Sequence, residues 1–162
     1  MSIRVFVTGG TFDKEYDELR GTLDFRQTHV QEMLTRGRCG LDVTIDVLMM
    51  IDSLDMNDAQ RAQIVAACAA CDESRIIITH GTDTLVETAH ALAHGVSDKT
   101  VVLTGAMVPY VFGSSDGLFN LGSAVSFVQT LPHGVYIVMN GKWFPWHDVR
   151  KNRDRGVFEP LS

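Results

Sequence analysis

Two short polar stretches, Thr8-Gly9-Gly10-Thr11 and His80-Gly81-Thr82-Asp83-Thr84, combine hydroxyl, carboxylate and glycine residues in patterns that could support acyl transfer. A threonine hydroxyl becomes a nucleophile when a neighbouring base removes its proton. Tyr16, which follows Thr11 closely, and a lysine from elsewhere in the chain are candidate helpers. The glycine turns can supply backbone N–H donors for a developing oxyanion. The same residues also suit plain turns or helix caps, so their placement in the fold must decide between a catalytic and a structural role.

Each stretch follows an apolar, β-branched run that is too short for a helix and is typical of a strand buried on both faces. The whole chain continues this alternation of strand and helix. The predicted strands are Ile3–Thr8, Val43–Met49, Ile76–Thr79, Thr100–Thr104 and Val135–Met139. The predicted helices are Gln27–Arg36, residues 59 to about 71, Thr84–His94 and one capped by Ser114-Ser115-Asp116. Residues 9–25 form a polar loop that could be a hairpin, and the chain from Asn140 onward shows no clear periodicity.

This alternation predicts an α/β fold: a doubly wound, mainly parallel five-stranded sheet with helices on both faces. At 162 residues, the chain is expected to form a single domain over residues 1–162. In a sheet of order 2-1-3-4-5, ligands bind where the winding reverses, between the first and third strands. The loops at Gly9–Phe12 and His80–Thr84 meet there, flanked by the loops that carry Ser53 and Ala106.

Composition and motifs exclude several classes of function. A net charge of −6 argues against nucleic acid or an anionic membrane surface as partner, and no stretch approaches a membrane span. Three cysteines fit a reducing, cytoplasmic compartment, and the Cys68/Cys71 pair is interpreted as small buried hydrophobes at a helix end. His90 and His94 lack the glutamate of a H-E-x-x-H motif, and no nucleotide-binding motif is present, so no metal and no cofactor are expected.

Five segments of the chain resemble the signature segments of bacterial-type L-asparaginases, and they occur in that family's order. They are Thr8–Thr11, Asp52–Asp58, His80–Thr84, Val102–Met107 and Ser115–Leu121. The resemblance implies metal-free hydrolysis of the side-chain amide of L-asparagine to L-aspartate and ammonia, by a homo-oligomer (dimer or tetramer). It further implies a short-chain form equivalent to the family's N-terminal domain.

The resemblance also implies roles for individual residues. Thr11 would be the nucleophile that forms a β-aspartyl ester, assisted by Tyr16 from a loop that could close over the substrate. Thr82, Asp83 and a lysine would form a second triad near the attacking water, and Lys151 is the nearest basic candidate. Ser53 and Asp83 would hold the α-carboxylate and α-amino groups of the substrate. The remaining substrate contacts would come from Gly10, Leu54, Gly81 and Ala106.

Alternatives remain open at this stage. The crevice could bind an amino acid with negligible turnover, particularly because Leu54 stands where a polar residue often follows the binding serine. The substrate could instead be glutamine or another small amide, since a pocket discriminates one methylene by only about 1–3 kcal/mol. Lys151 could belong to a solvated basic turn, with Arg150, Arg153 and Arg155. The apolar segment Lys142–Trp146 is expected to cover a sheet or helix surface or to form a subunit contact.

Overall fold

A computed structural model describes all residues, 1–162. The strands are β1 (Ser2–Gly9), β2 (Lys14–Asp17), β3 (Thr22–Phe25), β4 (Asp42–Ile51), β5 (Arg75–Thr79), β6 (Thr100–Thr104), β7 (Gly134–Met139), β8 (Lys142–Pro145), β9 (Arg150–Asn152) and β10 (Val157–Glu159). The α-helices are α1 (Val30–Arg36), α2 (Asp58–Ala70), α3 (Leu85–Gly95) and α4 (Gly117–Thr130), and short 3₁₀ helices span Thr11–Asp13, Ser53–Asp55 and Tyr110–Phe112. None of these helices has the length and apolar character needed to cross a membrane.

The main sheet has six strands in the order β4-β1-β5-β6-β7-β8. The predicted order of the five parallel strands is confirmed, but the predicted count of five is wrong, because β8 adds an antiparallel strand beside β7. Asn140 and Gly141 form the turn between β7 and β8, and both have the positive φ angles that a tight hairpin requires. Phe144 of β8 is buried, and Trp146 lies edge-on to the ring of His90 on α3. The prediction that Lys142–Trp146 covers sheet and helix surface is therefore confirmed.

Alternation along the central strands builds one hydrophobic core on each face of the sheet. Ile77 contributes to one core, whereas its neighbours Ile76 and Ile78 contribute to the other. All three are fully buried, and each such side chain stabilises the fold by about 1.5–3 kcal/mol. Helices α1 and α4 cover the first face, and α2 and α3 cover the second.

Helix α4, which connects β6 to β7, lies on the opposite face of the sheet from the one that the preceding connections lead us to expect. From β4 to β5, β6 and β7, the chain moves in one direction across the sheet, through α2, α3 and α4 in turn. Because α4 lies on the face opposite α2 and α3, the β6–α4–β7 crossover has the opposite hand to the two before it. About 98% of parallel crossovers are right-handed. The two crossovers that share one hand are therefore the right-handed ones, and the connection through α4 is left-handed. The prediction of a regular doubly wound sheet is corrected at this point.

Two small antiparallel sheets lie outside the main one. β2 and β3 form a hairpin within residues 9–25, so the interpretation of that loop as a hairpin is confirmed. β9 and β10 form a second hairpin in the tail, where the sequence shows no clear periodicity and no strand was predicted. Helix α1 begins at Val30, three residues later than predicted from Gln27, because the Asp13 carboxylate accepts hydrogen bonds from Thr28 Oγ1 and His29 N.

Candidate active site

Two glycines bring the ends of β1 and β5 into backbone contact. A Cβ atom added to Gly10 would lie only 2.4 Å from Gly81 Cα, and Gly10 also has a φ of +78°, which disfavours any side chain. Gly10 N donates to Ile51 O at 2.9 Å, which ties the same loop to the end of β4. The residues that immediately precede Thr11 and Thr82 are therefore adjacent, as the sheet order predicts.

Ser53 packs against the other side of the same glycine loop. A Cβ on Gly81 would lie 2.5 Å from Ser53 Oγ, so only glycine permits this approach. The Thr84 hydroxyl donates to Ser53 O at 2.8 Å and Thr84 N donates to Ser53 Oγ at 3.4 Å, which fixes the buried serine beside the start of α3. Leu54 points away into solvent, with 65% of its surface exposed.

Thr11 opens a short 3₁₀ helix whose next two side chains are anchored in the core. Phe12 is fully buried and lies next to Gly117, the first residue of α4. Asp13 is also fully buried, and this burial raises the pKa of its carboxyl group. These two buried neighbours hold the backbone at the half-buried Thr11 in place. The Thr11 hydroxyl forms no hydrogen bond within the chain.

Tyr16 lies on the hairpin strand β2, and the two residues before it anchor this strand through side-chain contacts. Lys14 Nζ lies 2.5 Å from the Asp52 carboxylate, and this hydrogen bond lowers the pKa of Asp52. Glu15 Oε1 lies 2.9 Å from His29 Nε2 at the start of α1. The Tyr16 side chain itself is 53% exposed. Lys14 and Glu15 therefore fasten the hairpin to Asp52 and His29, whereas the Tyr16 side chain is exposed to solvent.

Lys151 of β9 reaches across to the His80–Thr84 loop. Its Nζ lies 2.8 Å from Thr82 Oγ1 and 2.9 Å from Asp83 Oδ1, and its side chain is only 12% exposed. The β9–β10 hairpin holds it there, because Phe158 of β10 is buried and Asn152 Oδ1 accepts from Arg155 N at the turn. The three residues that the sequence grouped as a triad are thus in direct contact.

Arg153 is a neighbour that the sequence analysis did not assign to the site. Its Nη1 lies 2.7 Å from Asp83 Oδ1, so the same carboxylate oxygen accepts from both Arg153 and Lys151. No local pattern signals this placement, because Arg153 lies in the turn that follows β9. The sequence analysis considered Arg153 only as part of a solvated basic turn.

Asp116, which precedes α4, and Asn120 within α4 hold the turn that carries Ala106. The carboxylate of Asp116 accepts hydrogen bonds from Met107 N and Val108 N, each at 3.0 Å. Asn120 Nδ2 donates to Gly105 O at 2.9 Å and to Asp116 at 3.0 Å. Asp116 was predicted to cap α4, but its side chain makes no capping bond and instead shapes this turn. Ala106 is buried beneath it.

His80 supports the site from below without facing it. Its Nδ1 lies 2.8 Å from Gly81 O, so this nitrogen donates, and Nε2 accepts from the Thr88 hydroxyl at 2.8 Å. Burial lowers the pKa of His80 to about 4, so the ring is neutral at physiological pH. His80 therefore packs under the loop.

The assembled groups suit proton transfer and acyl transfer. They comprise two threonine hydroxyls, a carboxylate paired with an ammonium group, and backbone turns at Gly10 and Ala106. No cluster of three or more histidine, cysteine or acidic side chains is arranged to hold a metal. None of the four cavities in the structure is lined by Thr11, Thr82 or Lys151.

The family model "Asparaginase, N-terminal" matches residues 2–157. The chain belongs to the asparaginase family. The resemblance stated from the five sequence segments is therefore confirmed. Cys68 is a buried residue of α2, and burial raises the pKa of its thiol to about 12.

Individual asparaginase relatives match along part of their length. The chain is 31% identical to a protein named probable periplasmic L-asparaginase from Haemophilus influenzae, over 96% of this chain and 48% of that protein. It is 40% identical to L-asparaginase 2 of Escherichia coli over 66% of this chain and 32% of that protein. The chain thus spans about half or less of the length of these relatives.

Solved asparaginase structures share the fold. The thermostable L-asparaginase from Thermococcus kodakarensis superimposes with a TM-score of 0.87 and 27% identity, over 99% of this chain and 51% of that one. A probable cytoplasmic L-asparaginase from Campylobacter jejuni gives a TM-score of 0.81 and 32% identity, over 93% and 49% respectively.

Proposed function

We propose that this protein is an L-asparaginase that hydrolyses the side-chain amide of L-asparagine to L-aspartate and ammonia, with Thr11 as nucleophile. The observation that carries the proposal is the contact of Lys151 with both Thr82 and Asp83, next to the loop of Thr11. Family membership supports the reaction class, and the relatives described above are named L-asparaginases.

In the first step, the Thr11 oxygen attacks the amide carbon and the amide nitrogen leaves as ammonia, which produces a β-aspartyl ester. The proton of the Thr11 hydroxyl ends on the departing nitrogen, and Tyr16 is the group proposed to relay it. Backbone N–H groups near Gly10 or Ala106 would stabilise the oxyanion. Water then attacks the ester, which releases aspartate and returns the proton to Thr11.

Thr82 would act as a hydrogen-bond donor during both steps. An ammonium group only donates, so Lys151 occupies a lone pair of the Thr82 oxygen and leaves the hydroxyl hydrogen to point elsewhere. The carboxylate of Asp83, 2.9 Å from Lys151 Nζ, holds the ammonium group beside Thr82. Thr82 would therefore present its hydrogen to the substrate amide or to the attacking water.

The substrate would lie between four loops. Ser53 and Asp83 are proposed to face the amino-acid end, with backbone contacts from Gly10 and Gly81. Ala106 and its turn would contact the amide. Leu54 is proposed to lie at the edge of this subsite, with its side chain directed into solvent.

Ammonia release from asparagine and from glutamine, across millimolar concentrations, tests the proposal. Glutamine belongs in the assay because a relative from Acinetobacter glutaminasificans, 44% identical over 80 residues, is named glutaminase-asparaginase. Turnover of asparagine would support the proposal, and preference for glutamine would redirect it to that amide. Thermal stabilisation by either amino acid without ammonia release would support a binding module instead.

We further propose a homo-oligomer that acts in the cytoplasm on a small-molecule substrate. Val47 on the edge strand β4 and Phe119 on α4 are large apolar side chains that remain exposed, at 52% and 63%. All three cysteines are free thiols. Light scattering on the purified protein would measure the assembly, and fractionation of cells would test the compartment.

A further inference from the structure

The carboxylate of Asp83 is shared between two cations. Lys151 Nζ and Arg153 Nη1 both contact Asp83 Oδ1, at 2.9 Å and 2.7 Å, and Arg153 Nη2 also lies 3.5 Å from the Asp83 carbonyl oxygen. One negative charge therefore faces two positive charges, and this group of three side chains carries a formal charge of +1. Under the proposed function, Asp83 would have to attract the α-ammonium group of asparagine.

Other carboxylates of the neighbouring loops are occupied or turned elsewhere. Asp52 pairs with Lys14 and accepts from Leu54 N. Asp116 accepts from the turn at Met107 and from Asn120. Asp55 lines a cleft of about 360 Å³ beneath the β2–β3 hairpin instead. Asp52, Asp116 and Asp55 therefore do not compensate the extra positive charge of Arg153 at Asp83.

We infer that Arg153 is a specificity-determining residue, which makes the subsite at Asp83 accept ω-amides that lack an α-ammonium group. The inference rests on the proposed amide hydrolysis and names its substrate class: monoamides of small dicarboxylic acids, such as succinamate, and N-acylated asparagine. These molecules keep the carboxylate and the amide but place no positive charge beside Arg153 and Lys151.

The size of the effect follows from the exposure of Arg153. An ammonium group near the Asp83 carboxylate is attracted to it and repelled by both cations at similar distances. The guanidinium is 63% exposed and is screened by solvent, so its influence on a bound charge is comparable to that of a surface ion pair. Removing Arg153 is therefore expected to shift the preference between a charged and an uncharged substrate by about fivefold.

The test compares kcat/KM for asparagine and succinamate in wild type, Arg153→Ala and Arg155→Ala. Arg155 is a matched control, because it lies in the same hairpin, is 71% exposed and pairs with Glu159 instead of Asp83. Wild type is expected to process succinamate at least as well as asparagine. Arg153→Ala should shift the ratio about fivefold towards asparagine, whereas Arg155→Ala should leave it unchanged. The inference would be overturned if the ratio of kcat/KM for asparagine to that for succinamate were the same in all three proteins, or if it shifted equally in both variants.

Binding of the two products separates this inference from the proposed function. Calorimetric titration with succinate and with aspartate requires no turnover. If neither amide is hydrolysed, but succinate binds more tightly than aspartate and the preference disappears in Arg153→Ala, the proposed function fails and the inference holds. Tighter binding of aspartate in wild type, unchanged by Arg153→Ala, would overturn the inference even if asparagine is hydrolysed.

Discussion

Lys151 Nζ lies 2.8 Å from Thr82 Oγ1, although the two residues are 69 positions apart in the chain. The contact joins the tail hairpin β9–β10 to the loop after β5, across the end of the main sheet. Because Asp83 accepts from the same ammonium group, Lys151 is fixed in position by both neighbours. This relationship is the basis of the proposed proton transfer.

Lys151→Met should therefore abolish most of the activity while the protein remains folded. The variant keeps the length of the side chain but removes the donor to Thr82, and loss of a positioned proton-transfer group costs about 10²–10⁴-fold in rate. Ammonia release and circular dichroism would measure the two effects separately. Arg155→Met, in the same hairpin, serves as the control. A Lys151→Met rate within twofold of wild type would remove this lysine from the mechanism.

Asn120→Ala should destabilise the protein and weaken substrate binding together. The buried amide of Asn120 donates to Gly105 O and accepts from Asn140 N, so its removal leaves two backbone groups without partners. Each such group costs about 1–3 kcal/mol. Urea denaturation would measure the loss, and KM would report the loosened Ala106 turn. Ser126→Ala, an exposed change on the same helix, should alter the free energy of unfolding by no more than about 0.5 kcal/mol. If Asn120→Ala and Ser126→Ala had equal effects on stability, the Asn120 amide would not be essential.

Gly10→Ala should separate the two loops of the site. Its Cβ would meet the backbone of Gly81 at 2.4 Å, and the φ of +78° adds strain, so the free energy of unfolding should fall by about 2 kcal/mol or more. Gly122→Ala on α4 is the contrasting change, because nothing lies within 4 Å and helix propensity improves by about 0.5–1 kcal/mol. Thermal melts would rank the two variants. A stable, active Gly10→Ala protein would contradict the close approach of the loops.

His80 should make the protein less stable as the solution becomes acidic. Burial lowers its pKa in the folded protein to about 4, from 6.5 in the unfolded chain, so the unfolded chain binds more protons between these values. The stability that neutral His80 contributes is complete above about pH 6.5 and is lost as the pH falls towards about 4. The difference in unfolding free energy between wild type and His80→Gln should shrink by roughly 2 kcal/mol from about pH 7 to about pH 5. A difference that does not change with pH would mean that His80 titrates normally.

Much of the fold and of the site could be predicted from local sequence patterns. The five parallel strands and their order follow from β-branched runs such as Ile76–Thr79, and the meeting of the Thr11 and Thr82 loops follows from that order. The left-handed α4 crossover could not be predicted, because general rules favour the other hand and packing against Phe12 at Gly117 depends on tertiary context.

The tail was the least predictable region. Strands of three residues, such as Arg150–Asn152, carry too little periodicity to be recognised. The Asn140-Gly141 turn was a usable hairpin signal that would have revealed β8. The pairing of Arg153 with Asp83 required knowledge of where the tail folds back, so local patterns alone could not assign it to the site.

Ammonia release from asparagine by wild type and by Thr11→Ala tests the central claim most directly. Thr35→Ala, an exposed change on α1, provides a matched control for loss of a threonine hydroxyl. The account predicts turnover by wild type and by Thr35→Ala, and a loss of at least about 10³-fold in Thr11→Ala with an unchanged circular dichroism spectrum. Full activity in Thr11→Ala would contradict the assignment of Thr11 as nucleophile.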